Sequence, residues 1–116
     1  TIQGGYDSMV KLLGKKQVTA VFVTNYEMTL GTILALNDKN IKIPEEMSII
    51  GFDNLQLAQV VKPRLTIVTQ PWEEIGRYAA ELILRRMKNP KEDEKAKVVT
   101  LATELETAES VFSIQL

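Results

Sequence analysis

Apolar positions along the chain switch between helical and strand spacing, and the switches mark out the elements. Tyr6, Met9, Val10 and Leu13 fall at i, i+3, i+4 and i+7, which predicts a helix over Thr1–Gly14 with Gly14 placed to end it. Lys15 and Lys16 make a solvated turn. Thr19–Thr24 is short, apolar and rich in β-branched residues, and reads as a strand. Thr24 with Glu27 three residues later resembles a capping box, opening a helix that runs to about Lys39. Its inner face is Met28, Ile33 and Leu36, with Leu34 at the margin. Gly31 inside that helix costs about 1 kcal/mol relative to alanine, so close packing is expected there. Asn40 suits a left-handed stop, and Pro44 bars any helix from continuing through 41–46.

Met47–Asn54 reads Met-Ser-Ile-Ile-Gly-Phe-Asp-Asn. The adjacent β-branched Ile49 and Ile50 imply a strand buried on both faces, as in the interior of a parallel sheet. Leu55–Val61 is a short helix or a turn, and Pro63 pushes Lys62 into extended geometry. Leu65–Thr69 is a third strand, with Gln70 directly at its end. Pro71 suits the first position of a long helix. Glu73 and Glu74 lie in its first turn and Arg85, Arg86 and Lys88 in its last, complementing the helix dipole. Ile75, Ala79, Leu82, Ile83 and Met87 form its apolar stripe, and Asn89-Pro90 stops it. Residues 91–97 are a charged, solvated loop, Val98–Leu101 a short strand, and Glu104–Leu116 extended or irregular chain.

The order α-β-α-β-(α)-β-α-β defines an α/β fold, a parallel sheet flanked by helices. Three successive strands then end in groups able to hydrogen-bond a neutral polar ligand: Asn25, Asp53 and Gln70. Ligands of open α/β sheets gather outside the carboxyl ends of the strands. Asp53-Asn54 alone is equally a turn, since both residues favour turns. Three such groups on one edge raise the alternative of a binding cleft.

Composition narrows the chemistry. The chain has 116 residues, 45% hydrophobic and 25% charged, which suits one globular domain. No apolar run reaches the roughly 18 residues of a membrane span, and no signal peptide opens the chain. The first residue is Thr1 rather than methionine, so a cut or processed start is expected and the missing signal carries little weight. Cysteine and histidine are absent, which removes disulfides, thiol nucleophiles, Ser-His-Asp arrangements and the usual zinc sites. With 14 basic and 15 acidic residues the net charge is −1, so this segment has no excess for binding a polyanion. No cofactor is implied.

Three blocks carry a resemblance: Ala-Val-Phe-Val-Thr-Asn-Tyr-Glu-Met-Thr-Leu-Gly (20–31), Ile-Pro-Glu-Glu-Met-Ser-Ile-Ile-Gly-Phe-Asp-Asn (43–54) and Pro-Arg-Leu-Thr-Ile-Val-Thr-Gln-Pro (63–71). Ile75–Ile83 and Glu109-Ser110-Val111 continue it in the same order. Together they resemble the lactose/galactose repressor family (LacI/GalR) from Gly5 to Val111. The resemblance implies a cytoplasmic, homodimeric bacterial transcription regulator, usually a repressor. Such a protein has an N-terminal helix-turn-helix for operator DNA and a two-lobed, periplasmic-binding-protein-like core for a small effector. Only about the last third of such a protein is similar to this chain, so the DNA-binding part lies outside it. By the same analogy 1–66 belongs to the C-terminal lobe, 67–102 returns to the N-terminal lobe, and 103–116 crosses back.

Carried over by position, Asn25, Asp53 and Gln70 match effector-contacting positions, the effector being a sugar, a sugar phosphate or a similar polar metabolite. A carboxylate suits a sugar because it accepts two hydroxyl donors in charge-assisted bonds. Met28, Leu34 and Leu57 fall on elements similar to the family's dimer interface, and each is equally readable as ordinary core. The chain departs from the family at Tyr26, where aspartate is common, and at Ala108, where an arginine usually precedes Glu-Ser. Glu81 stands where a phosphorylated carrier protein would need a basic residue, so that partner is not expected. A periplasmic sugar-binding protein of the same fold is the alternative. An enzyme built on Asp53 or the Glu73-Glu74 pair is disfavoured, since no nucleophile, metal cluster or phosphate loop accompanies them.

Overall fold

The structure is a computed structural model describing residues 1–15, 17–53, 55–89 and 96–113. In chain order the elements are α1 (Ile2–Leu13), β1 (Ala20–Phe22), α2 (Tyr26–Asp38), β2 (Ser48–Phe52), α3 (Leu55–Val60), β3 (Thr66–Thr69), α4 (Trp72–Lys88) and β4 (Glu104–Glu106). They divide into two compact units, Thr1–Thr69 with Glu104–Leu116, and Gln70–Thr103.

The first unit holds a sheet of order β1-β2-β3-β4. β1 pairs parallel with β2 (Val21 opposite Ile49) and β2 parallel with β3 (Gly51 opposite Ile67). β4 closes the edge antiparallel to β3, with Leu105 opposite Val68. The expected parallel sheet therefore carries an antiparallel edge. Its fourth strand is Glu104–Glu106, whereas Val98–Leu101 forms no strand. A strand needs a neighbour to satisfy its backbone groups, and 98–101 has none among the described residues.

One core cluster joins α2, the three parallel strands and α3 through Val23, Ile33, Ile49, Ala58, Leu65 and Ile67. A second joins α1 and α2 to the start of β2 through Met9, Ala35, Leu36 and Met47. Ile49 is fully buried, as its position in the central strand implies, and burying such a side chain contributes roughly 1.5–3 kcal/mol.

The two helices meet backbone to backbone at Gly5 and Gly31. A Cβ on Gly31 would run into the Ile2 carbonyl oxygen, and one on Gly5 into the Met28 backbone. Close packing thus accounts for a glycine within α2. Tyr6 of α1 reaches Asp38 at the far end of α2, its Oη donating to Oδ2 at 3.0 Å.

Caps follow the expected logic with shifts of one residue. Asn25 caps α2 in place of Thr24, and Pro71 precedes α4 as its cap residue, not its first helical residue. Gly14 ends α1 in right-handed geometry (φ −69°), and Asn40 adopts the left-handed stop (φ 54°). Leu34 faces solvent at 44% exposure and leaves the inner face of α2 to Thr29, Thr32, Ile33, Ala35 and Leu36. Lys16, Asn54, Pro90, most of the charged loop and 114–116 lie outside the described residues.

The end of the chain is fastened to the first unit by side chains that bond backbone. Ser110 is fully buried. Its hydroxyl donates to the Ile49 carbonyl at 2.6 Å and accepts from the Thr66 amide at 2.8 Å. The Ser110 carbonyl accepts from the Ile49 amide at 2.8 Å. Glu109 Oε2 accepts from the Arg64 amide, Thr66 Oγ1 from the Ala108 amide and Ser48 Oγ from the Phe112 amide. The anchorage at Ala108 thus runs through main chain.

In the second unit α4 carries its dipole-matched charges, with Arg77 lying 4.4 Å over the Tyr78 ring and bonding Glu81 at 3.0 Å. No residue of α4 is buried, contrary to the stripe expected from its spacing. Ile75 and Leu82 are half-buried, while Ala79, Ile83 and Met87 are exposed. An amphipathic helix buries its stripe only against another layer, and this unit offers no second helix or strand among the described residues.

Candidate functional site

Because β1, β2 and β3 run parallel, their carboxyl ends share one edge of the sheet. Asn25 follows β1 by three residues, and Asp53 follows β2 directly. The structure therefore brings these two to the same edge of the first unit. Gln70 follows β3 directly, is half-buried and is the first residue of the second unit.

Asn25 has extended backbone (φ −153°, ψ 141°), as a capping residue requires. Its Oδ1 accepts from the Met28 amide at 3.2 Å, and its carbonyl accepts from both the amide and the hydroxyl of Thr29, at 2.9 and 2.8 Å. The side chain is thus half committed: its oxygen holds the helix, and its Nδ2 amide is directed by that bond and can donate to a ligand.

Asp53 sits in the left-handed region at φ 57°. That conformation costs a non-glycine residue about 1–2 kcal/mol, and aspartate is one of the few that visit it. The Asp53 amide donates to the Val68 carbonyl at 2.8 Å, so β3 holds the strained residue in place. The side chain is half-buried, with Oδ1 shielded from solvent. The turn and the delivered carboxylate are therefore the same structure.

Phe22 and Phe52, at the ends of β1 and β2, meet edge to face with centroids 6.5 Å apart. Sequence reading did not single out this pair, and only their equal distance from the strand ends hints at it. It likewise missed the bridging role of Ser110, because no local spacing ties residue 110 to residues 49 and 66.

Among the described residues of the first unit are two open clefts whose linings do not include Asn25 or Asp53. One of about 130 Å³ is lined by α1 and β1 residues including Met9, Phe22 and Thr24, the neighbour of Asn25. The other, about 160 Å³, lies among Leu55, Arg64 and Glu106. Of the residues considered for a dimer surface, Met28 is half-buried and packs on the core, Leu57 is half-buried, and Leu34 is open. Among the described residues no group of three or more acidic side chains could hold a metal ion, and no helix is long and apolar enough to cross a membrane.

A parallel sheet flanked by helices, with an amide and a carboxylate at its carboxyl edge, is an α/β arrangement of the kind that ligands approach at that edge. Residues 1–111 match the family described as periplasmic binding protein-like domain, and the chain belongs to that family. Its relatives are regulators of the LacI type. The HTH-type transcriptional repressor PurR of Vibrio cholerae (strain M66-2) is 48% identical over 80 residues, covering 69% of this chain and 24% of the relative. A LacI-family regulator from Enterococcus faecium with bound ribose superposes with a TM-score of 0.81 at 35% identity, over 96% of this chain and 40% of that one. The regulator CelR, in complex with cellobiose, gives 0.85 at 30% identity, over 95% and 33% of the two chains. The chain thus spans about a quarter to a third of the length of the curated relatives it matches.

Proposed function

We propose that this chain is the effector-binding and dimerising part of a transcription repressor, and that its effector is a sugar or a similarly polar small metabolite. The observation that carries the reading is Asp53, a half-buried carboxylate held in a strained conformation at the carboxyl end of the central strand. A fixed carboxylate accepts two hydroxyl donors without first paying to order itself. Asn25 adds an amide donor from the neighbouring strand, and Gln70, directly after β3, is proposed as a further contact. The ribose and cellobiose complexes of similar regulators support the choice of ligand class.

In this reading the effector shifts a two-state equilibrium by its unequal affinity for the two states, and operator affinity changes by linkage. Operator DNA is bound by a helix-turn-helix elsewhere in the regulator, in keeping with the net charge of −1 here. A homodimer forms through α2 and α3, with Leu34 the most open of the proposed contacts, alongside Met28 and Leu57. The protein acts in the cytoplasm and catalyses no reaction.

Calorimetric titration of the whole regulator with ribose and cellobiose tests the reading. Wild type binds one of these sugars and Asp53→Ala loses that binding while remaining folded. Unchanged affinity in the variant, or binding of neither sugar by wild type, counts against it.

A further inference from the structure

We propose that Ser110 is a positioning residue for Asp53, acting by fixing the register of β2 against β3. The pairing between these strands is brief, from Ile50 opposite Thr66 to Phe52 opposite Val68. Two contacts bracket it. At the carboxyl end the Asp53 amide donates to the Val68 carbonyl at 2.8 Å. At the amino end Ser110 occupies the place beside Ile49 that another residue of β3 would take. Its carbonyl accepts from the Ile49 amide at 2.8 Å, and its hydroxyl donates to the Ile49 carbonyl at 2.6 Å. The same hydroxyl accepts from the Thr66 amide at 2.8 Å, so one side-chain oxygen ties both strands.

A hydroxyl is suited to this task because it donates and accepts at once. Alanine would leave the Ile49 carbonyl and the Thr66 amide unpaired in a fully buried place. Register errors in a sheet come in steps of about 3.3 Å and reverse which face a side chain occupies. Even fractional loosening at one end of so short a pairing is felt at the other. The residue at that other end is Asp53, whose left-handed backbone is held by its bond to Val68. The consequence for ligand binding rests on the effector role proposed above, whereas the consequence for the Asp53 backbone does not.

Amide hydrogen exchange on the intact protein separates the two. In Ser110→Ala the Asp53 amide exchanges about fivefold or more faster than in wild type, although it lies four residues from the nearest atom Ser110 touches. Ser48→Ala removes the Phe112 bond from the same terminal segment without touching the β2–β3 tie, and leaves Asp53 exchange unchanged. If Ser110→Ala fails to fold, Ser110→Cys, which weakens both bonds, carries the same comparison. Faster exchange confined to Ile49, Thr66 and Phe112 would overturn the proposal, as would an equal effect from Ser48→Ala.

Titration of the whole regulator with ribose and cellobiose then reads the functional consequence. Ser110→Ala weakens sugar binding about fivefold relative to wild type. If Asp53→Ala binds sugar normally, the effector reading fails while the exchange result still decides the register claim. If Asp53→Ala loses binding and Ser110→Ala keeps it in full, the positioning role fails alone.

Discussion

The Asp53 amide donates to the Val68 carbonyl at 2.8 Å, extending the β2–β3 ladder to a non-glycine residue whose backbone is left-handed. Conformation and chemistry therefore conflict at this position. A glycine would relieve the backbone, whereas the carboxylate supplies the charged acceptor that the proposed effector site uses.

Replacing Asp53 exposes that conflict. Asp53→Gly keeps stability level or raises it by up to about 1 kcal/mol, because glycine adopts positive φ without strain. Asp53→Ala lowers stability by about 1 kcal/mol, since alanine takes on the left-handed cost with no polar side chain to offset it. Urea denaturation of the two variants checks the ordering. Both variants lose effector affinity.

Asn25 commits its Oδ1 to the cap of α2, and in the proposed site its Nδ2 serves the ligand; substitutions can separate the two. Asn25→Ala removes the cap from α2 and costs about 1 kcal/mol. Asn25→Asp keeps an accepting oxygen at the helix N-terminus, holds stability at the wild-type level and deletes the amide donor. Thermal unfolding together with sugar titration checks the pair. Asp at 25 is stable and weakened in binding, whereas Ala is weakened in both.

The glycines of α2 and α4 have opposite sensitivities. Gly31→Ala forces a methyl group into the Ile2 carbonyl and costs about 1–3 kcal/mol as α1 is pushed away. At Gly76 a methyl group meets nothing within 4 Å, so Gly76→Ala stabilises α4 by about 0.5–1 kcal/mol. Circular dichroism melts of the two variants are expected to shift in opposite directions.

Tyr6 supplies a pH dependence. Its hydroxyl donates to Asp38, which holds the phenol pKa above its ordinary value, with slight burial and the charges of Asp38 and Asp7 acting in the same direction. A group whose folded pKa is raised contributes stability below its unfolded pKa, near 10, and loses it as pH climbs through the folded value. Stability therefore declines above about pH 10, and Tyr6→Phe flattens that part of the profile in urea titrations at successive pH values.

Much of this fold is written locally. The apolar spacing of α1, the β-branched core of β2, the positive φ of Asn40 and the position of Gly31 each follow from a few neighbouring residues. Asp53 was legible because it lies at the end of such a strand. Three features were not legible, for a common reason. The antiparallel seating of Glu104–Glu106 on β3 and the bridging of β2 and β3 by Ser110 depend on residues dozens of positions apart, and the exposure of α4 depends on packing that its own spacing does not encode. The shift of the α2 cap from Thr24 to Asn25 is subtler. Either residue can cap, and the choice follows from where β1 releases the chain. The family resemblance, not local pattern, is what suggested a ligand-contacting role for Asn25, Asp53 and Gln70.

The most direct measurement is a crystal structure of the whole protein grown with ribose or cellobiose, read for distances at position 53. The account predicts both carboxylate oxygens of Asp53, or one of them twice, within about 3 Å of sugar hydroxyls, with φ still positive. A sugar lodged elsewhere, or an Asp53 carboxylate facing only its own protein, would contradict it.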